Sequence, residues 1–201
     1  MLDAIHSLPG DRLERTDYSS DFWSRFRALR GTDIHKLERQ QEFHQPESGS
    51  WMAFLEGRRD ESLRLLEERR PALREEFARL AQAGCAVRRV RVVEKPFSTY
   101  LLWELHSLRV RAQCGEDIRV ISPERLAPFE RDRHVPEIVT LGDEVTYKIL
   151  YDAQGVIEGA VRFTDHAVTA RCRSEIAALH ASAEVLEGYF VREVGSPAAP
   201  A

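Results

Sequence analysis

From Val87 the chain alternates. Arg89 and Arg91 interleave with Val90 and Val92, the two-residue period of a strand whose faces differ. The next run repeats the pattern: Tyr100, Glu104 and His106 share one parity, and Leu101, Trp103 and Leu105 share the other. A second strand is therefore expected, joined to the first by a turn around Pro96. Asp117 and Arg119 share a parity in a third strand, reached through the connection CGED. Further strands are expected in EIVTL, VTYKILYD and GVIEGAVRF, whose linkers LGDE and DAQG carry glycine at hairpin-like bends.

Helical spacing brackets these strands. Ser20 suits an N-cap for a helix over 21–30, with Phe22, Phe26 and Leu29 on one face and Gly31 at its end. WMAFLEG reads as one or two helical turns, and 60–69 as a helix. Pro71 opens another helix that runs to Ala83, buries Leu73, Phe77 and Leu80, and stops at Gly84. Asp165 opens a long helix to about Tyr189, with Val168, Cys172, Ile176, Leu179, Ala183 and Leu186 as its apolar stripe. Residues 33–43 read as a polar strand, with a helix as the open alternative. Residues 122–136 read as a long loop. Strands joined by short turns imply an α+β fold: a mixed, mainly antiparallel sheet of about five or six strands, helices on one face, and a long C-terminal helix. The expected division is a loose arm over 1–18, a single α+β domain over 19–191 and a disordered tail over 192–201.

Composition narrows the function classes. With 201 residues, 43% hydrophobic and 31% charged, the chain can bury a core. A net charge of -4 argues against a surface built to hold nucleic acid or an anionic membrane. The 3 cysteines, Cys85, Cys114 and Cys172, are scattered, which fits a reducing cytoplasm. No run approaches the roughly 18 apolar residues of a membrane span, and the start of the chain is too polar for a secretory signal. GxGxxG, GxxxxGK[ST], GxSxG and HExxH are all missing, so dinucleotide, P-loop, α/β-hydrolase and zincin readings have no support. Glu104 and His106 share a parity, but no further ligand is evident, so no metal site is assigned.

The polar parity of the opening strands carries the candidate chemistry. Arginine forks suit sulfate, phosphate or carboxylate, and neighbouring carboxylates hold an ammonium or take a proton. Glu104, Tyr100 and Asp117 are the candidate catalytic residues. Arg91, Arg119, Arg89, Glu38 and Lys148 are the candidate substrate-binding residues. The plainer alternative is a solvated sheet face carrying weak ion pairs. Lys148 and Tyr151 lie on opposite parities, so only one of them can join the patch. Arg131 and Asp132 belong either to a lid or to a solvated loop.

VRRVRVVEKPFSTYLLWELHS, then GEDIRVI, then a hairpin and a helix ending in GYF, resemble an actinobacterial domain family of unknown function over about residues 20–190. HKLERQQEF and WMAFLEG are similar to that family's upstream segment. Leu102 stands where the family often has arginine, and VTYKILY replaces a more aromatic, acidic strand. Many members are encoded beside helix-turn-helix regulators. The size and character of the chain also resemble the larger subunit of the enzyme pair that closes the aziridine ring in azinomycin and vazabitide biosynthesis. That resemblance implies a cytoplasmic, non-redox enzyme: an amine attacks the neighbouring carbon and expels sulfate, without metal or organic cofactor. It also implies a small-molecule substrate and a smaller partner protein, with no direct contact to nucleic acid or membrane. The alternative is a non-enzymatic module working with a helix-turn-helix regulator.

Overall fold

A computed structural model describes residues 1–195. In chain order its first elements are β1 (Asp11–Glu14), α1 (Arg15–Ala28), β2 (Ile34–Glu38), α2 (Gly49–Leu55), α3 (Arg59–Glu67) and α4 (Arg70–Gln82). Then come β3 (Val87–Val92), α5 (Thr99–Cys114), β4 (Asp117–Ile121) and a 3-10 helix (Pro123–Phe129). The chain continues through β5 (Ile138–Leu141), β6 (Val145–Tyr151), β7 (Ile157–Phe163), α6 (His166–Ala181), β8 (Glu184–Val185) and α7 (Leu186–Glu193).

The strands form one 8-stranded sheet in the order β1-β7-β6-β5-β2-β3-β4-β8. Only β2–β3 and β3–β4 are parallel; the other neighbours are antiparallel. Each parallel joint needs a crossover. The helices α2 to α4 supply the first and α5 the second. The fold is α+β as expected, with more strands than anticipated. Residues 34–38 are strand, which resolves that ambiguity.

Helices cover both faces, not one. Ile34, Val87, Val139, Tyr147 and Ile149 share a cluster with Phe26, Phe54, Leu73, Phe77, Tyr100 and Trp103 from α1 to α5. Leu37, Val90, Ile138 and Phe163 face the other way, against Cys172, Ile176 and Leu179 of α6. Leu2 and Ile5 also belong to that second cluster and are fully buried. Glu175 accepts from the terminal amine at 3.0 Å and from the Leu2 N–H at 2.9 Å, and β1 pairs with β7. The first eighteen residues are thus built into the fold and are not a loose arm. The first helix starts at Arg15, and Ser20 lies inside it. Residues 192 and 193 end α7; the rest of the expected tail, from residue 196, lies outside the described residues.

The largest correction is α5. Residues 99–114 form a helix where a strand was expected. Ser98 accepts from the Leu101 N–H at 3.0 Å, and Gly115 ends the helix with φ 126°. The misleading alternation arises because the helix is buried on two sides. Leu101, Leu105 and Leu108 pack toward α7, while Tyr100, Trp103 and Val110 pack toward the helical cover of the sheet. With apolar residues on both flanks, no single stripe marks the 3.6-residue period. The expected long C-terminal helix also breaks after Ala181. Glu184 and Val185 add to the edge of β4 before Leu186 starts α7.

Candidate functional site

The parallel register fixes which charges meet. Lys36 lies opposite Arg89 and Glu38 opposite Arg91 across β2–β3, so all four project from one face. On β4, Ile118 and Val120 occupy that face, since they pair with Arg89 and Arg91. Asp117 and Arg119 pair with Arg88 and Val90 and therefore face the opposite side. There Asp117 meets Arg88 and Arg119 at 3.5 Å and His180 at 3.3 Å. Lys148 pairs with Ile138, which also puts it on the far face. Asp117, Arg119 and Lys148 are thus separated from the other candidates by the thickness of the sheet.

The remaining candidates come together. Arg89 donates through Nη1 to both Glu38 oxygens, at 2.7 and 2.8 Å, and through Nε to Glu116 at 2.7 Å. Arg111 completes Glu116 at 2.5 Å. Arg91, with no exposed surface, donates through Nε to Glu104 at 2.8 Å and through Nη1 to the Val92 carbonyl at 2.9 Å. The Tyr100 hydroxyl, one helical turn before Glu104, donates to it at 3.4 Å and accepts from Gln45 at 2.5 Å. Lys36 Nζ stands 3.4 Å from Glu38. Buried charges persist in a fold when each finds such partners.

Part of this cluster walls a cavity of about 750 Å³, within the range of small-molecule sites, while Arg91, expected to bind substrate, lies buried behind that wall and does not line it. Lys36, Glu38, Arg89 and Glu104 form the charged wall, and Tyr18, Phe43, Tyr100 and Tyr151 supply aromatic surface. Arg69, exposed and without an ion pair among the described residues, stands at the lining. A second cavity of about 480 Å³ shares Lys36, Arg69, Arg89, Tyr100 and Glu104 with the first.

The electrostatics divide the carboxyls. Burial would raise Glu38, but Arg89, Lys36 and Arg91 outweigh it and hold its pKa at about 2. Burial pushes Glu104 up, helped by the charge of Glu38 and opposed by Arg91. Burial also pushes Lys36 down and the Tyr100 and Tyr151 phenols up. Glu137, which also lines the cavity, is raised by burial to about 8. One permanent carboxylate and one more basic carboxyl thus flank the same cavity, an arrangement suited to binding a cation and accepting a proton.

Sequence reasoning missed Lys36, Arg69, Glu116 and Glu137. Lys36 was legible through its shared parity with Glu38. The other three are brought in by tertiary packing, and nothing local to them signals it. No group of three or more His, Cys, Asp or Glu side chains is arranged to hold a metal among the described residues. No helix among them is long and apolar enough to cross a membrane.

None of the curated proteins compared with the chain is detectably similar to it. Among solved structures, the fold shows a distant likeness to one described as "Structure of TrmBL2, an archaeal chromatin protein, shows a novel mode of DNA binding". The likeness has a TM-score of 0.42 at 14% identity, covering 92% of this chain and 57% of that one. The chain therefore spans little more than half the length of that neighbour. A family pattern matches residues 20–191, which carry all the site residues except Tyr18 and Arg15 at its rim. The chain belongs to that family, described as a domain of unknown function (DUF6879).

Proposed function

We propose that the chain is a cofactor-independent biosynthetic enzyme subunit that closes an aziridine ring on a small molecule bearing an amine and a sulfate ester. The observation that carries this reading is the shared wall of the cavity: Glu38, Glu104, Lys36 and Arg89 within one enclosure, with Arg69 at its lining. Glu38 holds the amine end by charge. Glu104, whose raised basicity suits it to the task, takes a proton from that ammonium. The freed lone pair attacks the neighbouring carbon, the carbon–oxygen bond breaks, sulfate leaves with the bonding pair, and the aziridinium so formed releases its extra proton to solvent. Lys36 and Arg69 take the departing sulfate. Fixing the attacking nitrogen in line with the leaving oxygen supplies most of the rate.

The actinobacterial setting, the azinomycin-type pathway, a cytoplasmic location and a smaller partner protein belong to the same proposal. The partner would close the mouth of the cleft beside the exposed Arg15–Glu47 pair. The alternative, a non-enzymatic module working with a helix-turn-helix regulator, calls for a flat contact surface. Charges gathered inside a cavity favour the enzyme.

The minimal probe is 2-aminoethyl hydrogen sulfate. Incubated with the chain, it is expected to release sulfate and yield aziridine, read by ion chromatography and mass spectrometry. Glu104→Gln is expected to lower the rate by roughly 10²-fold or more, the usual share of a general base. Sulfate release at the uncatalysed rate, or an undiminished rate in Glu104→Gln, would contradict the proposal.

A further inference from the structure

The cleft has two lobes, which share the charged wall. Beyond the shared charged wall, the second lobe turns aromatic. It runs past Phe22, Trp23, Phe26 and Leu73, with Trp103 on its other side. Phe22 and Trp23 meet edge to face at 5.2 Å and 82°, Trp23 and Phe26 at 5.2 Å and 77°, and Phe22 stacks on Phe26 at 5.7 Å. These rings hold one another in place, which leaves a rigid surface. Trp23 is 41% exposed although its neighbour Phe26 is buried in the core. An indole left uncovered beside a cavity is apolar surface that a ligand can remove from water.

The two lobes meet at Lys36, Arg89, Tyr100 and Glu104. A molecule whose amine and anion sit at that wall has its remaining substituent directed along one lobe or the other. Beyond the wall the first lobe mixes Phe43 and Tyr151 with the polar groups of His44, Glu47 and Ser48. The second offers four aromatic side chains of its own, Phe22, Trp23, Phe26 and Trp103, and the indole of Trp23 is open to solvent. We infer that the second lobe is a subsite for an aromatic substituent on the ligand whose amine and anion are bound at the charged wall, an inference that rests on the function proposed above. The substrate class is then an aryl-substituted amine bearing a sulfate, with the ring stacked against Trp23.

Two unreactive probes separate the parts. Taurine carries an amine and a sulfonate but no leaving group, and 2-amino-3-phenylpropane-1-sulfonate adds a benzyl arm. Isothermal titration of both into the whole chain is expected to show the benzyl compound binding roughly tenfold tighter or more, in line with burying one ring. Trp23→Ala, at an exposed position, is expected to erase most of that gain and leave taurine binding unchanged. Taurine binding without a benzyl gain would overturn the inference and leave the proposed function standing. A gain that survives Trp23→Ala would overturn it by placing the ring elsewhere. If neither compound binds, the reading of the charged wall falls and the inference falls with it.

Discussion

At the scale of single residues, the site is governed by how buried charges are partnered. Arg91 has no exposed surface and spends its guanidinium on Glu104, the Val92 carbonyl and the Glu38 carbonyl. Removing it strands Glu104 in a low-dielectric setting, so Arg91→Ala is expected to lose about 3–5 kcal/mol of stability by chemical denaturation. An Arg91→Met, Glu104→Leu double variant, which removes both charges and keeps the volume, is expected to recover most of that loss. A double variant as unstable as Arg91→Ala would show that packing, not the stranded charge, is responsible. The residue scale also shows where reading the sequence succeeds. Parity alone placed Arg89 and Arg91 on one face, and that grouping holds. It went wrong at Asp117 and Arg119, because the register of a parallel pair decides which parity of one strand matches which of the next. The register of Arg88 against Asp117 turns both residues to the far face, and nothing in either strand's own sequence encodes it.

At the scale of elements, legibility depended on how many sides of an element are buried. The hairpins from β5 to β7 were readable from their alternation and their turn glycines. The helix α4 was readable because Leu73, Phe77 and Leu80 form one stripe beneath a polar face. The helix α5 defeated the period because it is wedged between two core clusters. Its surviving signals are the cap at Ser98 and the stop at Gly115, both local. Ser98→Ala removes the acceptor for the Leu101 N–H and is expected to destabilise the fold by about 1 kcal/mol. It should also loosen Tyr100 in the first turn, seen as faster amide exchange over 99–102. Unchanged exchange there would show that packing alone sets the start of the helix. The edge strand β1 depends on a close approach: a Cβ at Gly159 would run into the Leu13 carbonyl. No contact in residues 1–18 could have revealed that dependence without the pairing partner in β7.

At the scale of the whole molecule, the sheet separates two kinds of buried polar group. One face gathers paired charges around a cavity. The other packs against α6 and buries His35 at 5% exposure with Nδ1 unpartnered. Burial lowers the His35 pKa from 6.5 to about 4, the pull of Asp33 being outweighed with help from Arg88, Arg173 and His180. Between those two values the unfolded chain binds a proton that the folded chain does not. Stability therefore falls as the pH drops from about 6.5 to about 4, and is level with respect to this group above 6.5. The contribution is expected to be about 2 kcal/mol once solvent screening is allowed for. His106 and His180, also lowered by burial, act in the same direction. His35→Gln should flatten this part of the pH profile relative to the unaltered chain; parallel profiles would mean that His35 keeps its ordinary pKa.

The claim on which the functional account rests is that the ligand binds at the face of Lys36, Glu38 and Glu104. The direct measurement is chemical-shift mapping of the isotope-labelled chain during titration with taurine. Saturable shifts centred on Lys36, Glu38, Gln45, Tyr100 and Glu104 are expected, with Asp117, Arg119 and Lys148 unmoved. Shifts confined to Asp117, Arg119 and Lys148, or no saturable shifts at all, would contradict it.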